Sequence, residues 1–406
     1  MPANSGGCAQ MRIYSPMKKL AEMYPDRVEI RWNENPLGFD PETKTHKYMD
    51  QKNPEGYSGE IPDIDWCDIL FSQAISNFGG PYSLTCIVQA KNRGKKVHWD
   101  TDDLLTDIYE KHRLKKVYVE NGLEELAKIM YATADLCSVT QSKFADRVAP
   151  YALSNNGSLV IIKNALDYNL PAWNMPKVPP PHKNMCRFGW VGGIHHEVDL
   201  QPIKGVAHTV NQRVGIENVY WELFGKPPIQ KKEDEWQLDV WKNYEKLWSY
   251  GMRGNRKNYK IHPALAFDNF GKFYSIFDVA LAPLDNNDFN DSKSECKLME
   301  AARYGVPLIA SDVGCYNEVI KNWENGVLLS PDASKSDWVK VLVKVAKNKK
   351  LRETMGVNIK EYCDEHYDLN KLIKYRMSLY EALMGWESDM LDAMNQAKLL
   401  NQGPKK

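Results

Sequence analysis

The stretch Ser292-Lys293-Ser294-Glu295-Cys296-Lys297-Leu298-Met299-Glu300-Ala301-Ala302-Arg303-Tyr304-Gly305-Val306-Pro307-Leu308-Ile309-Ala310-Ser311 reads as a polar, basic loop opening a helix, then a glycine stop, then a buried strand. A helix start flanked by Lys293 and Lys297 is an anion site in outline, because the free N–H groups and the macrodipole add to the side-chain charge. Lys297 and Glu300 lie three residues apart on one helix face, and the plain reading of that spacing is a solvated ion pair.

Outward from this stretch, strand-sized apolar segments alternate with helical spacing in both directions. Residues 28–32, 69–72, 96–99, 134–140 and 158–163 have strand character, with helical patterns at 13–23, 82–93 and 123–131. A second series follows at 187–191, 219–224, 261–264, 279–283, 306–311 and 326–329, separated by helical stretches at 296–304, 338–347 and 369–393. This alternation predicts an α/β fold of two Rossmann-like domains facing across a cleft, with ligands beyond the carboxyl ends of the strands. The expected limits are 1–170 for an acceptor-side domain, 171–184 for a Pro-rich linker, 185–368 for a donor domain and 369–406 for a C-terminal helix and tail.

Composition narrows the function classes. Among 406 residues, 53 Lys+Arg balance 53 Asp+Glu, so no overall basic field draws the protein to nucleic acid or an anionic membrane. No apolar run approaches the roughly 20 residues of a membrane span, and the first ten residues lack a basic region followed by an apolar stretch. The eight cysteines are scattered without CxxC or ligand-like histidine spacing, which predicts reduced thiols in a cytoplasmic protein and no structural metal.

The 292–311 stretch resembles the donor-binding segment of family 4-like glycosyltransferases of the GT-B fold (glycosyl transferases group 1). In that family a glutamate opening Glu-Ala, followed by Gly-x-Pro and a strand ending in Ser, contacts the nucleotide ribose, and nearby basic residues hold the diphosphate. By this match Glu300 takes the ribose role. Position 292, where the family has a second glutamate, is Ser, and the chain is similar instead to a branch written here as Phe289, Asn290, Lys293, Ser294, Lys297 and Glu300. Residues 161–167 resemble the family's strand end before the linker, and 188–196 its first donor-domain strand and glycine loop. Asn4-Ser5-Gly6-Gly7 resembles the N-domain glycine loop, although the strand that precedes it in the family has no counterpart beyond residues 1–3.

The resemblance implies a retaining transfer from a nucleotide-diphosphate sugar, a UDP-sugar, to an unidentified glycan or small-molecule acceptor, with no cofactor beyond the donor and no metal. It implies Lys293 and Lys297 at the diphosphate, His195 as a polar contact to the reacting sugar, and Gly6, Gly7, Gly192, Gly193, Ser294 and Glu300 as donor-binding residues. The acceptor side is expected at Asn77, Tyr82, Asp100 and Asp102.

Two features have readings beyond that assignment. Asp100-Thr101-Asp102-Asp103 satisfies a metal-binding DxD pattern, but Asp102 or Asp103 also suits the cap of a helix starting at Leu104. The excursion 225–260 carries Trp236, Trp241, Tyr244, Trp248 and Tyr250 before Arg253, Arg256, Lys257 and Lys260, which is either core and solvated loop or a surface for a DNA acceptor. The alternatives to a glycan transferase are therefore a viral-type DNA-base glycosyltransferase and a non-catalytic sugar-nucleotide-binding module. Trp386, in the last helical stripe, is expected to pack against residues ahead of the linker.

Overall fold

Strands covered on both faces need apolar side chains at successive positions, and every residue of Leu136–Val139, Val279–Ala282 and Leu308–Ser311 is buried. In this computed structural model, which describes residues 1–2, 7–48, 59–76, 78–228, 232, 235–252 and 258–385, such segments assemble into two parallel sheets. After a small hairpin, β1 (Phe39–Asp40) with β2 (Thr45–His46), the first sheet comprises β3 (Ile69–Gln73), β4 (Lys96–Asp100), β5 (Leu136–Val139) and β6 (Ser158–Ile161) in that spatial order. The second comprises β7 (Cys186–Val191), β8 (Val219–Lys226), β9 (Tyr259–Pro263), β10 (Val279–Ala282), β11 (Leu308–Ser311) and β12 (Gly326–Leu329), ordered β12-β11-β10-β7-β8-β9.

The chain divides into two compact units. The first holds Met1–Ala165, Ser292–Ser294 and the last helix, Leu369–Met384; the second holds Leu166–Asp291 and Glu295–Asp368. The division falls at Ala165/Leu166, ahead of the Pro-rich segment, and residues 171–181 are part of the second unit. There Trp173 is fully buried and Val178 N–H donates to Ser275 O at 2.9 Å.

In the first unit, Ile13, Met17 and Leu20 from the opening helical segment meet Phe71, Val160 and the Leu369, Ile373, Met377, Tyr380 and Leu383 stripe of the last helix. Each such side chain contributes roughly 1.5–3 kcal/mol on burial. Arg376, which interrupts the stripe in sequence, is itself buried with its guanidinium 5.5 Å from the Phe71 ring, and Tyr380 Oη is bonded to His98 Nδ1 at 2.9 Å. The helix stops at Gly385, whose φ of 72° suits a C-terminal glycine.

Two expectations are corrected. Residues 28–32 form no strand: a strand needs a hydrogen-bonded neighbour, no described segment supplies a ladder here, and Val28 and Ile30 simply pack against the core. No helix starts at Leu104, so neither Asp102 nor Asp103 caps one. Ile108 N–H donates instead to Glu124 Oε1 at 2.9 Å, and the next helix is Lys115–Glu120. The described residues of the excursion after β8 follow the first of its two readings, the core one. Its helix, Trp236–Trp248, buries Trp241, Tyr244 and Trp248 in the core of the second unit, leaving Trp236 and Tyr250 exposed. Arg253, Arg256, Lys257 and Trp386 lie outside the described residues. Among the described residues no helix is long and apolar enough to cross a membrane.

Candidate functional site

In the second sheet β7 has β8 on one side and β10 on the other, so the strand order reverses between β7 and β10. A crevice opens at the carboxyl ends of strands at such a switch point. The segment leaving β7 is Gly192-Gly193-Ile194-His195-His196, and the segment leaving β10 is Pro283-Leu284-Asp285.

Packing explains the glycines. A Cβ on Gly192 would lie 2.4 Å from the Trp190 ring and 2.8 Å from His196 Cδ2, and one on Gly225, at φ 120°, would lie 2.0 Å from Gly192 O. The loop is then fixed from two sides. His196 N–H donates to Tyr244 Oη at 2.9 Å, and Tyr244 Oη donates to Gly193 O at 3.2 Å. Asp199, fully buried, accepts from His196 Nδ1 at 2.7 Å, from Asn290 Nδ2 at 2.7 Å and from Asp285 N–H at 2.9 Å. Asn290 of the Phe-Asn motif thus serves as a tie between the segments leaving β7 and β10.

The helix Cys296–Arg303 buries Leu298, Met299, Glu300, Ala301 and Ala302. Tyr274, from the short helix Gly271–Ser275, donates its hydroxyl to Glu300 Oε2 at 2.6 Å. Burial raises the Glu300 carboxyl to about 7, against the opposing pull of the Tyr274 hydrogen bond and the Lys297 charge. Lys297, one turn earlier, is half-buried. Glu295, at the N-cap position, turns its carboxylate to Cys315, whose Sγ donates to Oε2 at 2.9 Å.

The remaining expected residues are placed as follows. Gly192, Gly193 and His195 share one loop of the second unit, and Lys297 and Glu300 one helix of it. Lys293 and Ser294 group with the first unit, where Asn164 Nδ2 donates to Ser294 Oγ at 2.9 Å. Gly7 opens the first helical segment, while Gly6 and Asn77 lie outside the described residues. Tyr82 is buried and hydrogen-bonded to Asn35 Oδ1 at 2.7 Å and to Leu37 N–H at 3.1 Å, which makes it an anchor of residues 35–37.

Asp100 is fully buried in a two-pronged pair with Arg12: Nε donates to Oδ2 at 2.9 Å and Nη2 to Oδ1, while Ser138 Oγ also donates to Oδ1. Burial opposes its ionisation, but Arg12 outweighs that and holds the carboxyl below the usual range. Asp102 goes the other way, pushed up to about 6 by burial and by the neighbouring Asp103 charge. Among the described residues no group of three His, Cys, Asp or Glu is arranged to hold a metal ion.

The comparisons bear on this geometry. Residues 251–362, which include Tyr274, Lys297 and Glu300, match the glycosyl transferases group 1 family. Sucrose-phosphate synthase of Thermosynechococcus elongatus superposes with a TM-score of 0.58 at 14% identity, over 78% of this chain and 74% of that one. The chain has the GT-B glycosyltransferase fold and carries a group 1 segment. HepE of Anabaena, solved with UDP and glucose, resembles this chain with a TM-score of 0.52 at 14% identity, over 79% of each chain. TarM of S. aureus, solved with fondaparinux, alpha-GlcNAc-glycerol and UDP, gives 0.54 at 13% identity, over 77% of this chain and 55% of TarM. No curated protein matches the chain in sequence.

Sequence reasoning missed Tyr274 and the Asp199 tie. The i,i+3 spacing of His196 and Asp199 was a legible signal for the second, whereas Tyr274 reaches Glu300 from 26 residues away with no local pattern to announce it.

Proposed function

We propose that the protein transfers a sugar from a UDP-sugar to a glycan or small-molecule acceptor, in the cytoplasm, with retention of configuration and without a metal ion. In this reaction the acceptor oxygen bonds to the anomeric carbon as the bond to the β-phosphate oxygen breaks, and the acceptor proton passes to the departing diphosphate. Charge developing on that diphosphate is the main thing the protein has to stabilise. Lys297 and Lys293, with Ser294 ahead of the helix Cys296–Arg303, take that task. Glu300 orients the ribose, Gly192 and Gly193 let backbone approach the phosphates, and His195 contacts the sugar.

The observation that carries this reading is the Glu300 arrangement. A buried carboxylate, fixed by one tyrosine hydroxyl and backed by a lysine one turn earlier, sits within the segment that matches group 1 glycosyltransferases. A buried acid held by a single strong hydrogen bond is suited to accept from neutral hydroxyls, as a ribose offers. UDP bound to HepE and TarM supports uridine as the nucleoside.

The test is UDP release from UDP-sugars by the full chain and two variants. Lys297→Ala is expected to lower turnover by about 10²–10³, the usual cost of removing one group that faces developing charge. Glu300→Gln is expected to weaken UDP binding. Unchanged turnover in Lys297→Ala would remove the diphosphate assignment.

A further inference from the structure

We propose that the second unit carries an anion-binding pocket at the amino ends of its strands, on the opposite edge of the sheet from the donor crevice, and that its ligand is a small phosphate-bearing anion. The inference is independent of the donor reading and concerns residues to which that reading gives no task.

The place follows from the fold. A cavity of about 210 Å³ is lined by the Pro-rich segment and Met185, just ahead of β7, by Asp278, just ahead of β10, and by Gly305, ahead of β11. These three strands are neighbours, in the order β11-β10-β7. The start of the helix Lys349–His366 lines the same cavity through Lys349 and Arg352.

The charge around it is unbalanced. Lys177, Lys183, Lys349 and Arg352 face the carboxylates of Asp278 and Glu353. Asp278 is already engaged by Arg187, whose backbone N–H and Nε donate to Oδ2 at 2.8 and 3.3 Å. Glu353 lies 3.6 Å from Lys349 with both side chains exposed, a pairing that contributes little. Among the described residues Lys177, Lys183 and Arg352 have no carboxylate partner.

Arg352 is the decisive group, for it is only 6% exposed. Its Nη1 donates to Val345 O at 2.8 Å and to Ala346 O at 2.7 Å, at the end of the helix Lys335–Lys347, which fixes the guanidinium. Among the described residues Nε and Nη2 have no partner, although the side chain lines the cavity. A buried guanidinium that meets no carboxylate is stabilised by an anion, and its planar fork matches two oxygens of a phosphate. The Lys177 ammonium is turned inward onto Phe277 O and, at 3.5 Å, Tyr274 O. Burial lowers its pKa to about 8 against the pull of Asp278, so its charge also gains from a bound anion. The helix start acts in the same sense. Asn348 Oδ1 accepts from Leu351 N–H at 3.0 Å and the first turn has no acidic residue, so the N–H groups of Lys349 and Lys350 have no partner among the described residues. The cavity is several times the roughly 30 Å³ share of one water, so it admits a phosphate carrying a small organic group.

The experiment is calorimetric titration of the full chain at constant ionic strength in EDTA with 2-glycerophosphate, inorganic phosphate and glycerol. Wild type is expected to bind both phosphates and not glycerol; tighter binding of the ester marks an ester as the occupant, and equal binding marks free phosphate. Replacing the two exposed residues together, Lys183→Gln with Lys349→Gln, is expected to weaken phosphate binding about tenfold. Arg352→Lys keeps the charge but loses the fork, and a loss of about tenfold is expected there too. Thermal unfolding without ligand shows whether Arg352→Lys folds, and the double lysine variant tests the site even if it does not. Lys297→Ala, in the donor crevice, is expected to bind both phosphates as wild type does. The proposal is overturned if wild type binds neither phosphate, if glycerol binds as well as its phosphate, or if the double lysine variant loses nothing. Loss of phosphate binding in Lys297→Ala would also overturn it, by putting the anion in the donor crevice.

Discussion

Glu300 shows what burial costs a single carboxyl group. An ordinary glutamate titrates near 4.5, but in the folded protein burial moves this one to about 7. Between those values the folded chain binds more protons than the unfolded one, so the stability linked to this group is full below the unfolded value and is lost as pH rises through 7. Glutamine, neutral at every pH, escapes that loss. Glu300→Gln is therefore expected to raise the melting temperature relative to wild type, by an increment that grows from pH 5 to pH 8; an increment independent of pH would contradict the buried-acid account. The placement of Glu300 and Lys297 on one helix was legible from spacing. The protonation behaviour of Glu300 was not, since that depends on Tyr274 and on burial that only folding creates.

At the level of elements, the Asp100-Thr101-Asp102 match illustrates why a three-letter motif decides little. A π-helical turn, Gln10–Tyr14, directs Arg12 inward, where its guanidinium reaches Asp100 at the end of β4, Ile162 O just past β6 and Asn164 Oδ1. One cation thereby ties the first helical segment to the ends of two strands. Asp100→Ala leaves that guanidinium buried and uncompensated, and is expected to cost about 3–5 kcal/mol in denaturant unfolding. Replacing Arg12 and Asp100 together by leucine is expected to cost less than the single change; equal or larger loss in the double variant would show the pair is not a closed unit. Strand positions in both sheets were legible because parallel strands leave continuous apolar runs, as at Val279–Ala282. Residues 28–32 alternate apolar and charged side chains yet form no ladder with any described strand, because alternation along a segment cannot say whether a neighbouring strand exists. The same ambiguity hid the helix Trp236–Trp248 among aromatics that had two readings.

For the whole molecule, the alternation of strands and helices was enough to foretell two α/β units on parallel sheets. The return of Leu369–Met384 to the first unit also followed from its long apolar stripe. What the sequence did not disclose is the grouping of Ser292–Ser294 with the first unit, which separates Lys293 from Lys297 in the chain's division and follows from contacts distant in sequence. The proposed chemistry needs lysines and a helix terminus where other designs use a divalent ion, so UDP release is expected to persist in EDTA without rescue by manganese. Strict dependence on a divalent ion would count against it. The most direct measurement is thermal unfolding of the full chain in EDTA across a panel of nucleotide-diphosphate sugars. A UDP-sugar at one hundred times its dissociation constant is expected to add about 2.7 kcal/mol and visibly raise the melting temperature. A melting temperature unmoved by every nucleotide sugar in the panel would contradict the assignment of this fold to sugar transfer.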